Sequence, residues 1–409
     1  MRQFRTRPLP TPFTLVFWLI LAVWLIYPIT TYGQLGQDGL HDPVAGDLWR
    51  SAPDQVYSSP VPQQPNDRFV QRFCEMSDAT PRCAGYATVY TSTPLMLPIL
   101  AVVAKLGGAG STFLIRMLGA LCYAAGLLLL FQRMGPRTPK ILAPLVAASL
   151  TPLAISGLGL GQDSPVLFLS ASLGLRLTDR TRRAGLVGAL WFLASSIKVF
   201  PAALVVLLVV RRRWKVLAVA AALGAVLLAL VVTLGPFSVV TDFAGYTRFN
   251  SSALLDSPQN ASPRVLVTTL LPATSTSGLV GAVIALALVA VAIGVWHRYR
   301  RSPLDVQWAV AYLLVLVVSP VVWLHYCWLV IAALAAITAG RKVPRASDHL
   351  LLGGAAVVLG GFGAIGADGS AHGVGQAAFL VAVIAALFWV QPPEAASPRP
   401  RTAALADAG

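Results

Sequence analysis

"AGLVGALWFLASSIKVFPAALVVLLVVRRRWK", residues 184–215, is apolar over most of its length, is interrupted by Lys198 and Pro201, and ends in a basic cluster. Pro201 has no N–H to give a helix, so the stretch reads either as two short halves or as one kinked helix. Non-helical backbone at membrane depth is tolerated where it lines a cavity, so the break marks a candidate site. An ionisable side chain beside it, Lys198, is a functional candidate, and a cation there suits an anionic ligand.

Working outward, the same pattern repeats. The 409 residues are 56% hydrophobic and 11% charged, with a mean hydropathy of +0.71, which excludes an ordinary water-soluble domain. Apolar runs recur from Phe13 to Val390, each near the ~20 residues that cross ~30 Å of hydrocarbon. The net charge of +15 sits in short clusters between these runs, such as "RMGPRTPK", "TDRTRR", "RRRWK" and "HRYRR". That is the pattern of cytoplasmic loops, and it argues against a nucleic-acid partner. The first run, Phe13 to Ile29, lacks a following cleavage signal and reads as an anchor.

With the N-terminus inside, residues 32–91 form a first outer loop, and 235–275 a second. The first loop has too little apolar periodicity for a core of its own and predicts short helices lying along the membrane surface. The predicted spans are 112–132, 139–158, 165–178, 184–198, 200–210, 214–234, 276–296, 305–321, 324–339, 348–367 and 373–390, after the N-terminal anchor. The apolar piece 92–107, bounded by Pro94 and Pro98, reads as partial or re-entrant, because a full crossing would invert the basic loops that follow. The fold class is therefore an all-α polytopic membrane protein, a single domain over 1–390 with about twelve spans, followed by a disordered cytoplasmic tail, 391–409. Cys74 and Cys83 share the first outer loop and are a candidate disulfide.

Polar groups gather on the predicted outer side. "GQDGLHDPVAGDLWR" (36–50) carries Asp38, Asp42 and Asp47; "GLGLGQDSP" (157–165) puts Gln162 and Asp163 at a span boundary. "RFNSSALLDSPQNASPR" (248–264) supplies Arg248, Asn260 and Arg264, and "SPVVWLHYCWLV" (319–330) places His325 and Tyr326 between Trp323 and Trp328. Together they describe a cavity with carboxylates, a lysine, a histidine and amides. No phosphate loop, dinucleotide fingerprint or zinc motif is present, so a donor arriving through the membrane fits better than cytoplasmic nucleotide chemistry.

These motifs resemble glycosyltransferase family 87, the actinobacterial polyprenyl-phosphate-mannose-dependent mannosyltransferases of the C superfamily of membrane glycosyltransferases. The resemblance covers roughly residues 38–340 and is most specific from Gly161 to Lys215. Gly161, Gln162, Lys198, Asn260, Ser262, Ser319, Pro320, Trp323 and His325 match the family's motifs; Ser164, Val199 and Tyr326 depart from them, and "YTSTP" (90–94) is a loose echo of Tyr-Pro-Pro. The resemblance implies a multi-pass enzyme of the plasma membrane whose site opens on the extracytoplasmic or periplasmic face. It takes a polyprenyl-phosphate-sugar donor to a glycolipid or lipoglycan acceptor, without metal or cofactor. A first-loop Asp acts as general base, Asp38 by the family's spacing and Asp42 as the alternative. Lys198 and His325, with Arg248 or Arg264, balance the phosphate leaving group, and Gln162, Asn260 and Tyr326 contact substrate. An arabinofuranosyl donor and, in another class, a lipid or sugar flippase are the competing readings.

Overall fold

The computed structural model describes residues 11–30, 37–60, 64–77, 83–87, 90–134, 164–174, 183–255, 260, 262–264, 277–319, 321–322, 326, 329–330, 333–334, 337, 370–389 and 392. Among these, every extended regular element is helical. The anchor is α1 (Thr11–Thr30), and the first loop builds α2 (Gln37–Ser51) and α3 (Asp67–Met76). Then come α4 (Leu97–Ala104), α5 (Gly107–Met134), α6 (Ser164–Gly174), α7 (Ala184–Ile197), α8 (Val205–Val210) and α9 (Trp214–Leu234). The chain continues in α10 (Ser238–Leu254), α11 (Ser277–Tyr299), α12 (Leu304–Val318) and α13 (Ser370–Trp389).

Three segments among the described residues, Gly107–Leu130, Trp214–Leu234 and Ala282–Tyr299, are long and apolar enough to cross a membrane. The expected spans 139–158 and 348–367, and most of 324–339, lie outside the described residues. The 92–107 piece is a 3-10 turn, Pro94–Met96, running into the eight-residue α4. Eleven helical residues rise only about 16 Å, half of a hydrocarbon layer.

Two clusters of buried side chains organise the chain. One fills the bundle, with Tyr123, Phe168, Trp191, Leu208, Tyr299, Trp308, Tyr312 and Leu316 among its members. The other lies at one end and joins α2, α3 and α4 to α10 through Leu40, Val44, Leu48, Phe69, Phe73, Leu97, Val239 and Tyr246. The first loop thus buries its apolar side chains in a core that it shares with α4, α7 and α10 rather than in one of its own. Leu40, Val44 and Leu48 repeat every four residues, as do Phe69 and Phe73, but Asp, Gly and Pro between them hide the stripe in a composition reading. The second loop likewise holds α10, whose Phe243 and Tyr246 both pack on Tyr57.

Close approaches fix how the loop layer sits on the bundle. A side chain at Gly46 would overlap the backbone of Leu100 and Ala101, so α2 and α4 touch main chain to main chain there. Gly235, which ends α9, lies against the Trp49 indole of α2, and Gly108 at the start of α5 lies against the Met76 carbonyl of α3. Asn66 caps α3 by accepting from the Phe69 amide at 2.8 Å, while its own amide donates to the Gln55 and Ser58 carbonyls at 2.7 and 2.9 Å. Cys74 and Cys83 are joined as a disulfide. Arg72 of α3 bridges Asp47 of α2 at 2.7 Å and Glu75 at 2.8 Å.

The glycine contact gives a direct test. Gly46→Val should lower stability by about 1–3 kcal/mol through overpacking, read as a lower Tm of the detergent-solubilised protein. Gly245→Ala, at a position of α10 with open space around it, should leave Tm unchanged or raise it slightly.

Candidate functional site

The apolar stretch 184–215 breaks where the carbonyl groups of a helix must find new partners. Helix α7 stops at Ile197, Lys198 is extended (φ −132°, ψ 131°), and Phe200–Leu204 is a 3-10 turn leading into α8. The stretch is two halves. The Trp191 indole donates to the Pro201 carbonyl at 2.8 Å, holding the second half against the first. The Ser196 carbonyl accepts twice from Thr93, from its backbone N–H at 3.0 Å and its hydroxyl at 2.7 Å. Buried carbonyls freed at a helix end require such partners.

The segment that supplies them is "YTSTP", 90–94, and it carries more than Thr93. The Lys198 ammonium donates to the Thr91 hydroxyl at 3.0 Å. Tyr57 donates to the Ser92 carbonyl at 2.8 Å, and its ring lies 5.6 Å from that of Tyr90 and 5.3 Å from those of Phe243 and Tyr246. Burial holds the Tyr57 and Tyr90 phenols well above the ordinary 10.0, and in both the negative charge of Asp42 adds to the effect. Asp42, on α2 and only partly buried, lies within electrostatic reach of both tyrosines. One layer holds a carboxylate, two neutral phenols and, through residues 91–93, an ammonium group.

A second clamp joins the later motifs. Asn260 is fully buried, and its Oδ1 accepts from the Ser262 and Val322 amides at 2.9 and 3.0 Å while Nδ2 donates to the Leu255 carbonyl at 3.2 Å. The "NAS" and "SPVV" motifs are thereby fastened to each other. Four residues beyond Val322, buried Tyr326 packs its ring 5.3 Å from Phe200, immediately before Pro201. The two clamps meet at the broken turn.

Of the residues singled out from sequence, Asp42 and Lys198 enter the first layer and Asn260 and Tyr326 the second. Arg248 is exposed on α10 and Arg264 is partly buried beside Asn260 in sequence. Asp38 lies in α2 one turn before Asp42, with its side chain outside the described set; Gln162, Asp163 and His325 lie outside the described residues altogether. Sequence reasoning missed Tyr57, Thr91 and Thr93 as parts of the site. The available signal was a hydroxyl-rich run immediately before the prolines of a short apolar piece, in a chain where an extended Lys-bearing turn needed donors.

The sequence model of glycosyltransferase family 87 matches residues 90–320, more than half of the chain, and the protein belongs to that family. The match runs from Tyr90 to Pro320, so it includes the Thr93–Ser196 junction, Lys198 and Asn260, while α2 and His325 flank it. No curated protein and no solved structure matches the chain.

Two tests follow from this geometry. Asn260→Ala orphans two buried amides and should cost roughly 2–4 kcal/mol, whereas Asn260→Asp keeps the accepting oxygen and should cost less; thermal unfolding in detergent ranks them. The tyrosine pair should show an alkaline limit. With folded pKa values above the ordinary 10.0, the stability from neutral phenols is complete below pH 10 and falls as the pH rises beyond it. Tyr57→Phe with Tyr90→Phe should shallow that decline, measured as Tm against pH.

Proposed function

We propose that this family 87 glycosyltransferase moves a sugar, mannose foremost, from a polyprenyl-phosphate donor to a glycolipid or lipoglycan of the cell envelope, on the outer face of the plasma membrane. The observation that carries this reading is the shared layer of Asp42, Tyr57, Tyr90, Thr91 and Lys198 at one end of the bundle. The basic corners Arg211 and Arg300 meet at the other end, as the positive-inside pattern requires of a cytoplasmic side.

The chemistry is an inverting displacement. A carboxylate of α2 accepts the proton of the acceptor hydroxyl, and the oxygen attacks the anomeric carbon. The bond from that carbon to the phosphate oxygen breaks, and polyprenyl phosphate leaves with the electron pair. Asp42 is the base in this reading, because its charge acts on both tyrosines of the layer; Asp38, on the same face one turn earlier, is the alternative. Lys198 meets the charge that develops on the leaving phosphate, and His325 is its partner in the motif seven residues after Val318. The buried tyrosines stay protonated, so they add no competing negative charge to the pocket where a phosphate must sit.

Membranes containing the protein should transfer label from radiolabelled polyprenyl-phosphate mannose to a lipid-extractable glycan. Asp42→Asn should lower kcat by about 10²–10⁴-fold, with Asp38→Asn close to the native rate. Full transfer by both variants would overturn the general-base assignment. Label moving only from polyprenyl-phosphate arabinose would change the sugar, and transfer from neither donor would sink the reading.

A further inference from the structure

The end of the bundle away from Lys198 carries a second built feature. Helices α7 and α9 run parallel, with Gly188 against the Val216 carbonyl and Gly224 against Phe192. Lys198 at the end of α7 and Arg211–Arg213 before α9 therefore lie at opposite ends. The 21 residues of α9 separate that corner from Trp49 and the loop layer, a rise of about 31 Å, the thickness of the hydrocarbon.

At this corner two basic turns are stitched into one. The Arg211 guanidinium donates to the Gln307 side-chain oxygen at 2.7 Å and to the Arg300 carbonyl, and Gln307 donates to the Arg300 carbonyl at 3.1 Å and the Ser302 carbonyl at 2.5 Å. The α8–α9 turn, where Arg212 takes the left-handed conformation (φ 51°), is thereby held against the α11–α12 turn. Exposed Arg211, Arg212, Lys215, His297, Arg298, Arg300 and Arg301 share the resulting surface. Between 205 and 234 and between 277 and 318 the sequence has one acidic residue, Asp305, and it is completely buried. Nothing acidic on these segments offsets the patch. Among the described residues, the buried Arg213 Nε has no hydrogen-bond acceptor. Directly below, the helices turn apolar surface outward, at Val206, Val210 and Trp214 on one side and Leu286 and Ile293 on the other.

We propose that this corner binds an anionic phospholipid of the inner leaflet, its phosphate against the two basic turns and its acyl chains along the exposed flanks of α8, α9 and α11. A cationic layer set over an apolar wall is the complement of such a lipid, and an interfacial tryptophan marks the boundary between them. A soluble anion would need only the charges, and a zwitterionic lipid only the apolar wall. The patch offers both.

The test is competitive lipid binding to the detergent-solubilised full chain, with equal phosphatidylglycerol and phosphatidylcholine, read by native mass spectrometry. The native protein should retain phosphatidylglycerol in preference. Exchanging three exposed charges, Arg212→Gln with Lys215→Gln and Arg301→Gln, should reduce the preference at least about tenfold, with the detergent Tm unchanged. Equal retention of the two lipids by the native chain, or a preference that survives the exchange, would overturn the proposal. So would displacement of the lipid by millimolar glycerol phosphate, which would mark a site for the headgroup anion alone. If the triple variant does not fold, Arg212→Gln alone is compared with the native chain across salt concentration. A preference that neither the single exchange nor salt weakens would count equally against the proposal.

Discussion

Helix α7 cannot continue through Pro201, and the buried carbonyl groups it abandons must still be bonded. That constraint organises the site. A buried backbone carbonyl left without a donor costs about 1–3 kcal/mol, so a chain that breaks a helix there must bring donors to the break. Here Thr93 brings two to Ser196, and Trp191 brings one to Pro201. The donor segment does not arrive alone. It is the start of a short apolar helix whose preceding loop carries Asp42 and Tyr57, so satisfying one carbonyl delivers the carboxylate layer to Lys198. Backbone bookkeeping and the placement of chemistry are the same event.

The loop layer is more than a cover. Its shared core, the Asn66 cap, the disulfide and the Gly46 approach to α4 make it a folded body set on the bundle, so the position of Asp42 is held by packing and not by loop contacts alone. Asn66 and Asn260 play matched parts. Each is a buried amide that both accepts from and donates to the backbone: Asn66 accepts from Phe69 and donates to Gln55 and Ser58 inside the first loop, while Asn260 donates to nearby Leu255 and accepts from Ser262 and distant Val322, tying the second loop to the residues before His325.

Much of this architecture is legible in the sequence, and the exceptions have physical causes. The long apolar runs of α5, α9 and α11 and the break at Pro201 follow from hydropathy and from proline's missing N–H. The pairing of Cys74 with Cys83 was suggested by their sharing one polar loop. Helix α10 was read as loop because its apolar face, Val239, Phe243 and Tyr246, is interleaved with Asp242, Thr247 and Arg248. Its partner, Tyr57, lies far away in sequence. Asp38 and Asp42 lie one helical turn apart on α2, so a spacing count between them rests on a single inserted residue, and the tertiary neighbours that mark Asp42, Tyr57 and Tyr90, are specified by no local pattern. The "YTSTP" run was a weak echo of a motif as sequence and becomes a junction only when the α7 carbonyls are counted.

The most direct measurement of the central claim is a structure of the full chain with polyprenyl phosphate bound. The phosphate should lie within about 3 Å of the Lys198 ammonium, in the layer that holds Asp42 and the Thr93–Ser196 junction. A phosphate seated away from Lys198, with the Asp42 carboxylate turned from it, would contradict the account.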